Sequence, residues 1–238
     1  MTRLFALVLA IAASLFSPAA HAGAWARTPG EVFLSFSSNL HSSVEALAEG
    51  VEEMSRYDSA YLEVGLGHRL TFGADLGRGE YTREAMAFLR YTITHPDARL
   101  QAAVDLGVGR RSVEVLGDSD LARIGLSLGY GFGLTPPDWM PMDLQGGWIA
   151  LDAVSIQDLT RSETRWKVEA TFGLNATDRM RFMLQVAAEE WPGLDISYGV
   201  NPSIVYQVFD RTSLELGVRA VLADHVELGL EFGLWHRF

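Results

Sequence analysis

Serine and histidine side chains that lie close together are the first candidates for hydrolytic chemistry, because an imidazole can activate a hydroxyl as a nucleophile. Two short segments bring such groups together, His41-Ser42-Ser43 and Asp224-His225. Neither lies in a G-x-S-x-G motif, which would present a serine at a strand-to-helix turn. An aspartate and a histidine in a tight loop are usually solvated turn residues. The sequence therefore predicts no catalytic residues.

An acidic segment follows the first of these candidates. Carboxylate oxygens are the ligands that hard divalent cations prefer, so the cluster is a candidate cation site. Its spacing is unlike that of an EF-hand loop, and a solvated acidic loop is the commoner arrangement. We therefore predict no metal site and no cofactor. Part of the segment, Ser43 to Met54, has the pattern of a short amphipathic helix. The acidic residues are Glu45, Glu49, Glu52, Glu53 and Asp58, with Arg56 among them.

The N-terminus has the three-part layout of a secretory signal peptide. Met1-Thr2-Arg3 precedes an apolar run from Leu4 to Phe16, and Ala20-His21-Ala22 forms an A-x-A cleavage site. The apolar run is too short to span a bilayer as a helix. We expect residues 1–22 to be removed and residues 23–238 to form one domain.

Composition restricts the partners and the source of stability. The chain of 238 residues has 30 acidic and 19 basic side chains, with a formal net charge of −11 and no cysteine. A nucleic-acid partner is disfavoured, because phosphate binding requires a basic surface. Without disulfides, an exported chain must be stabilised by a core or by a closed hydrogen-bonded sheet.

Alternation of apolar and polar residues is the dominant pattern after residue 30, and it is typical of strands. In the segment 180–189, Phe182, Leu184 and Val186 share one parity, and Arg181 and Gln185 share the other. The paired Gly146-Gly147 predicts a bulge. Segments of this kind predict an all-β chain with strands at 31–40, 57–67, 69–77, 84–94, 99–109, 121–132, 143–153, 164–174, 179–189, 196–208, 212–222 and 226–238.

The connections predict the architecture. Four of them are tight turns on one side, and longer loops at 41–56, 110–120 and 154–163 lie on the other side. An even strand number with this asymmetry is typical of a closed antiparallel transmembrane β-barrel of about twelve strands. A soluble β-sandwich shows the same alternation, so the composition of the two faces must decide between them.

The two faces differ in charge. The apolar face carries almost no charge, as a lipid-facing surface requires. The other face combines glycines with acids and bases in similar numbers, which predicts a lumen lined by paired charges. The predicted lumen-lining residues are Glu63, Asp75, Arg90, Asp105, Arg123, Glu169, Arg181, Gln185, Glu215, Arg219 and Glu231.

The last strand resembles the C-terminal strand of Gram-negative outer-membrane β-barrel proteins. Leu228, Leu230, Phe232, Leu234 and His236 share one parity with the terminal Phe238. The resemblance implies that Phe232 and Phe238 are part of a signal for the barrel-assembly machinery. His236 departs from the usual apolar pattern. The hairpin at residues 61–73 is also similar, more loosely, to the porin-like family associated with phenol-degradation pathways.

These observations favour an integral outer-membrane barrel. We expect a narrow porin-like passive channel for a small solute, or a structural barrel whose lumen is closed by charge pairs. The expected partners are outer-membrane lipid, lipopolysaccharide and the barrel-assembly machinery. Two alternatives stay open, namely a secreted soluble β-sandwich binding protein and an outer-membrane hydrolase of the lipid A deacylase or protease type. His41-Ser42-Ser43 lacks the His-x-Ser-Asn arrangement of the deacylases.

Overall fold

The computed structural model describes residues 23–50, 54–134, 144–223 and 226–238. The predicted signal peptide, the Asp224-His225 pair, and Glu52 and Glu53 of the acidic segment lie outside these residues. Within the described ranges, no helix is long and apolar enough to cross a bilayer.

Twelve strands account for most of the described chain, and each one overlaps a strand that the alternation predicted. A single short helix, α1, follows the first strand. The elements are β1 (Val32–Ser43), α1 (Val44–Glu49), β2 (Ser55–Gly67), β3 (Leu70–Arg78), β4 (Thr82–Thr92), β5 (Leu100–Val113), β6 (Gly117–Gly133), β7 (Gly146–Asp158), β8 (Glu163–Asn175), β9 (Met180–Glu190), β10 (Ser197–Phe209), β11 (Thr212–Leu222) and β12 (Val226–Arg237).

Each strand pairs antiparallel with the next, and β12 returns to pair with β1. The sheet therefore closes on itself, which confirms the predicted antiparallel barrel of twelve strands. Closure leaves no edge strand with unpaired backbone groups, and only a closed sheet or a helix can satisfy these groups in hydrocarbon.

The two ends of the barrel differ less than the sequence predicted. Tight turns at Gly67-His68-Arg69 and Asp210-Arg211 lie at the end that holds both termini. At the other end, however, the predicted loops 110–120 and 154–163 are wrong. Strand β5 continues to Val113 and β6 begins at Gly117, so only residues 114–116 join them. Strands β7 and β8 are joined by residues 159–162. Polar side chains can extend a backbone ladder beyond the apolar band, so polarity alone did not mark the strand ends.

Two local predictions have opposite outcomes. The short helix predicted within Ser43 to Met54 is confirmed over Val44–Glu49, since Ser43 Oγ accepts a hydrogen bond from the Ala46 N–H at 3.1 Å. Gly50, with a φ of 68°, ends α1 earlier than predicted. The bulge at Gly146-Gly147 is wrong, because the register of β7 with both neighbours is continuous. Gly146 instead adopts a φ of 127°, a backbone conformation that favours glycine.

The apolar face of the sheet points outward. Leu106, Val108 and Leu184 are 66%, 68% and 40% exposed, whereas Asp105 and Arg181 on the opposite parity are buried. A soluble protein would bury the first set and expose the second. The soluble β-sandwich alternative is therefore wrong, and the sheet has the polarity of a barrel surrounded by lipid.

Candidate permeation pathway

The barrel interior holds all eleven side chains that the sequence predicted to line a lumen. Their positions follow from strand parity, because neighbours on either side in sequence face outward. Five of them are buried, namely Glu63, Arg90, Asp105, Arg181 and Glu215. The other six are half-buried, namely Asp75, Arg123, Glu169, Gln185, Arg219 and Glu231.

Glu63 is the centre of a buried charge cluster. Its carboxylate accepts hydrogen bonds from Arg27 Nε at 2.7 Å, from Tyr61 OH at 2.6 Å and from Arg90. Arg27 and Arg90 are each only 4% exposed. Two guanidinium groups and a hydroxyl thus compensate one buried carboxylate. The alternation predicted Glu63 and Arg90, whereas Arg27 precedes the first strand and gave no sequence signal.

Further ion pairs lie around the lumen, either between neighbouring strands or within one strand. Arg123 Nε donates to Asp105 Oδ1 at 2.8 Å, and Lys167 Nζ lies 2.7 Å from Glu169 Oε2. Gln185 Nε2 donates to the same Glu169 at 3.3 Å. These pairs satisfy the buried charges that the barrel interior would otherwise leave without a partner.

A second belt of paired charges lies near the end opposite the termini. Arg111 and Arg161 both contact Asp158 Oδ2, at 3.1 and 3.0 Å, and Arg165 donates to Glu84 across the lumen. The sequence missed this belt, because Arg111 and Asp158 fell in segments that were predicted to be loops.

One aromatic side chain from the loop after β9 covers part of this belt. The guanidinium groups of Arg111 and Arg165 lie over the ring of Trp191, at 5.2 and 4.4 Å from its centroid. Such stacking favours a cation on an aromatic face. The loop residue therefore helps to hold the two arginines in the belt.

The segment before β1 runs inside the barrel at the end that holds the termini. Ala24 is fully buried, and its carbonyl oxygen accepts a hydrogen bond from Thr92 Oγ1 at 3.2 Å. The Arg27 N–H donates to Thr71 Oγ1 at 3.2 Å. The Gly65 N–H donates to the carbonyl oxygen of Glu31 at 2.9 Å. The chain itself thus narrows this end of the lumen.

The carboxylate of Glu31, at the end of this internal segment next to β1, is also stabilised. Partial burial alone would raise the pKa of Glu31. The hydrogen bonds from Thr28 and the nearby charge of Arg27 outweigh that effect and hold the pKa below its usual value. Glu31 therefore stays ionised where the segment enters the barrel.

An apolar cluster lies beside the same segment, inside an interior that the sequence predicted to be polar. Trp148, Ala150, Met183 and Val205 are buried together, and Trp25 and Trp235 pack against them. The inward position of Trp148 could have been recognised from the sequence, because the apolar Ile149 and Leu151 share the opposite, outward parity.

A cavity of about 390 Å³ lies within the barrel, between the internal segment and the strands. Six acidic side chains and two arginines line it, together with aromatic groups such as Trp148 and Trp235. The acidic residues are Glu63, Asp75, Asp152, Glu169, Glu215 and Glu231, and the basic residues are Arg27 and Arg237.

Four of these carboxylates have no ion-pair partner among the residues that the structure describes. Glu215 accepts hydrogen bonds from Ser203 Oγ at 2.7 Å and from Trp235 Nε1 at 3.1 Å. Asp152 accepts one from Ser127 Oγ at 2.5 Å. Neutral donors orient these groups and no basic side chain among the described residues pairs with them, so carboxyl groups are in surplus over basic groups around the cavity. The four are Asp75, Asp152, Glu215 and Glu231.

The candidate hydrolytic residues that the structure describes, His41, Ser42 and Ser43, are not assembled into a catalytic arrangement. His41 and Ser42 are consecutive in β1 and point to opposite faces of the sheet. His41 Nε2 lies 3.8 Å from Glu227 Oε2, while Ser43 caps α1. The letters G-x-S-x-G do occur at residues 125–129, but they lie inside β6 and not at a strand-to-helix turn.

Within the described ranges, no group of three or more His, Cys, Asp or Glu side chains is arranged to hold a metal ion.

No protein-family model and no curated protein sequence matches this chain. Solved structures do match its fold. The KdgM porin superposes with a TM-score of 0.59 at 9% identity, covering 86% of this chain and 99% of the porin. The NanC porin has a TM-score of 0.57 at 10% identity, with 85% and 98% covered.

A third similar structure is an outer-membrane channel from Pseudomonas putida F1. Its TM-score is 0.56 at 11% identity, and the match covers 92% of this chain and 99% of the channel. At such low identity these matches establish the fold alone, which is that of outer-membrane porins and channels. The similarity of the hairpin at residues 61–73 to the phenol-degradation-associated family stays a prediction.

Proposed function

We propose that this protein is a passive channel of the bacterial outer membrane that favours small cations. The observation that carries the proposal is the cavity inside the closed barrel, which is lined by six carboxylates and only two guanidinium groups. The fold supports an outer-membrane location, since the structures it matches are outer-membrane porins and channels.

The exterior of the barrel supports the same location. Mid-strand positions such as Leu126, Leu184 and Leu216 are exposed and apolar. A lipid-facing surface requires apolar side chains there, because a basic side chain at the bilayer midplane costs about 2 to 4 kcal/mol. Lipid would cover this apolar surface, which in water would promote aggregation.

The surplus of negative charge argues for cations over anions. Low-dielectric walls focus the field of charges that line a cleft, so ions of opposite sign accumulate there. One structure of the KdgM porin is a complex with disordered oligogalacturonate, a polyanionic sugar. An acidic cavity would repel such a ligand, so the ligand of that porin does not transfer to this chain.

The size of the pathway argues for small solutes. Ligand-sized pockets begin at roughly 300 Å³, close to the volume of the cavity in this barrel. The internal segment before β1 and the Arg111–Asp158–Arg161 belt narrow the lumen on either side of it. We therefore expect a low-conductance channel.

Single-channel recording in planar bilayers tests the proposal. The purified barrel should give small, cation-selective conductance steps in KCl, and truncation of Trp25 to alanine should enlarge them by loosening the internal segment. A correctly folded barrel that conducts no ions would refute the channel and favour a structural barrel closed by its charge pairs. Hydrolysis of a lipid or peptide by a non-conducting barrel would instead support the hydrolase alternative.

A further inference from the structure

The outward face of the barrel carries a local group of arginines. Among the described strand positions that face outward, basic side chains of arginine or lysine occur only on the four neighbouring strands β2 to β5, all near the end opposite the termini. We call this group the outer arginine patch. Its members are Arg56, Arg78, Arg83 and Arg110, and all four are exposed.

The direction of each side chain follows from its neighbours. Glu84 reaches across the lumen to Arg165, so Arg83 beside it points outward. Arg111 is buried against Asp158, so Arg110 points outward. The same alternation applies in β2 and β3, where the inward Tyr57 meets Gly77 and leaves Arg56 and Arg78 outside.

Two members of the patch already have carboxylate partners. Arg56 Nε lies 2.8 Å from Asp58 Oδ1, and Arg110 Nη2 lies 2.9 Å from Asp118 Oδ2. Arg78 and Arg83, in contrast, form no ion pair or side-chain hydrogen bond with any residue that the structure describes. The two are also directly opposite each other in the β3–β4 ladder.

Like charges directly opposite each other destabilise a pair of strands. The Arg78–Arg83 pair is therefore more favourable when an anion lies between the two guanidinium groups. Each guanidinium presents a planar fork of donors that matches phosphate oxygens in a bidentate arrangement. Asp58 lies opposite Arg78 in β2 and its charge acts on Arg78, but its carboxylate is bonded to Arg56 and forms no ion pair with Arg78.

We propose that Arg78 and Arg83 bind a phosphate group of an outer-leaflet glycolipid, the phosphorylated diglucosamine headgroup of lipid A. The patch borders the apolar outer surface of the barrel. Leu76 precedes Arg78 by two residues and Ala85 follows Arg83 by two residues, so both lie on the same outward face, one step closer to the middle of the strands. Leu106 and Val108 continue this band below Arg110. A headgroup whose acyl chains cover these residues would hold its phosphate at the level of the pair.

This inference rests on the proposed outer-membrane location, with the termini on the periplasmic side. A free phosphate ion shares the same chemistry, but it would gain nothing from the apolar residues beneath the pair. The lipid is therefore distinguished from the free ion by its acyl chains, and from an unphosphorylated lipid by its charge.

The purified barrel in detergent micelles is titrated with hexa-acylated bisphosphorylated lipid A. A parallel titration uses the same lipid after removal of both phosphates. Native mass spectrometry measures binding in both titrations. The wild type should bind the phosphorylated lipid at least about tenfold more tightly, and the double variant Arg78→Gln/Arg83→Gln should lose this preference. The matched control is Arg179→Gln/Arg211→Gln, which removes two exposed arginines from turns at the opposite end and should bind like the wild type.

Three results would overturn the proposal. The first is equal binding of both lipids by the wild type, and the second is an equal loss of binding in the control variant. The third is competition by millimolar inorganic phosphate that matches lipid A, which would indicate a simple anion site. Heat-modifiable gel mobility verifies that each variant is folded. Conductance in phospholipid bilayers should be unchanged in Arg78→Gln/Arg83→Gln, so a failure of this site is distinguishable from a failure of the proposed channel.

Discussion

Neutralising two carboxylates of the cavity should weaken its preference for cations without unfolding the barrel. We choose Glu215→Gln/Glu231→Gln, because these side chains are held by Ser203, Trp235 and Asn201 and not by a basic partner. Glutamine keeps the size of each side chain and can still accept a hydrogen bond. The change therefore removes charge from the lumen and leaves no buried cation unpaired.

The expected magnitude follows from the width of the barrel. Twelve strands give a backbone diameter of roughly 24 Å, so an inward carboxylate lies about 6 Å from the axis. At that distance one charge changes the energy of a monovalent ion by about 0.7 kcal/mol in water, or about 0.4 kcal/mol after screening by about 0.1 M salt. Removing two charges should lower cation occupancy and raise anion occupancy about fourfold each, so the selectivity ratio falls roughly fifteenfold.

Reversal potentials in a KCl gradient across a planar bilayer measure this ratio directly. Glu114→Gln/Asp210→Asn is the matched control, because it removes two exposed acids from connections outside the cavity and should keep the ratio of the wild type. At about 1 M salt the screening length shortens to about 3 Å, so the difference in the selectivity ratio between the lumen variant and the wild type should shrink to about twofold.

Two outcomes would refute the electrostatic reasoning. One is an anion-selective wild-type channel, which would mean that the arginines outweigh the acids along the conducting path. The other is a reversal potential that does not differ between the Glu215→Gln/Glu231→Gln variant and the wild type at low salt. That result would mean that ions do not pass through the cavity.

Three further predictions concern the barrel itself. Leu184→Arg should lower the free energy of unfolding in lipid vesicles by about 2 to 4 kcal/mol, whereas Gln185→Arg should fold, because only the first side chain faces lipid. Glu63→Gln should cost about 3 to 5 kcal/mol in the same assay, because it leaves two buried guanidinium groups without their carboxylate; an unchanged stability would contradict the buried cluster. Deletion of Phe238 should reduce the amount of heat-modifiable barrel while secretion continues, and unchanged assembly would mean that the C-terminal resemblance is accidental.

The sequence by itself determined the strands, their number and the outward face. Alternation is a local property, since successive side chains of a strand point to opposite faces whatever the strand pairs with. Leu184 and Gln185 could therefore be assigned to opposite faces before their neighbours were known. The same reasoning placed Glu63 and Arg90 inside. It failed at Arg111 and Asp158, where polar residues continued strands that were predicted to end.

The tertiary structure alone decided which side chains meet. Arg27 reaches Glu63 because the segment before β1 enters the barrel, and that segment has no periodic pattern that would place it there. Arg78 lies opposite Arg83 because of the register between β3 and β4. Asp152 faces a cavity without a basic partner, and that cavity exists only because β12 pairs with β1 and closes the barrel. Register depends on backbone hydrogen bonds between two paired strands and on the turn that joins them, so no single strand encodes it.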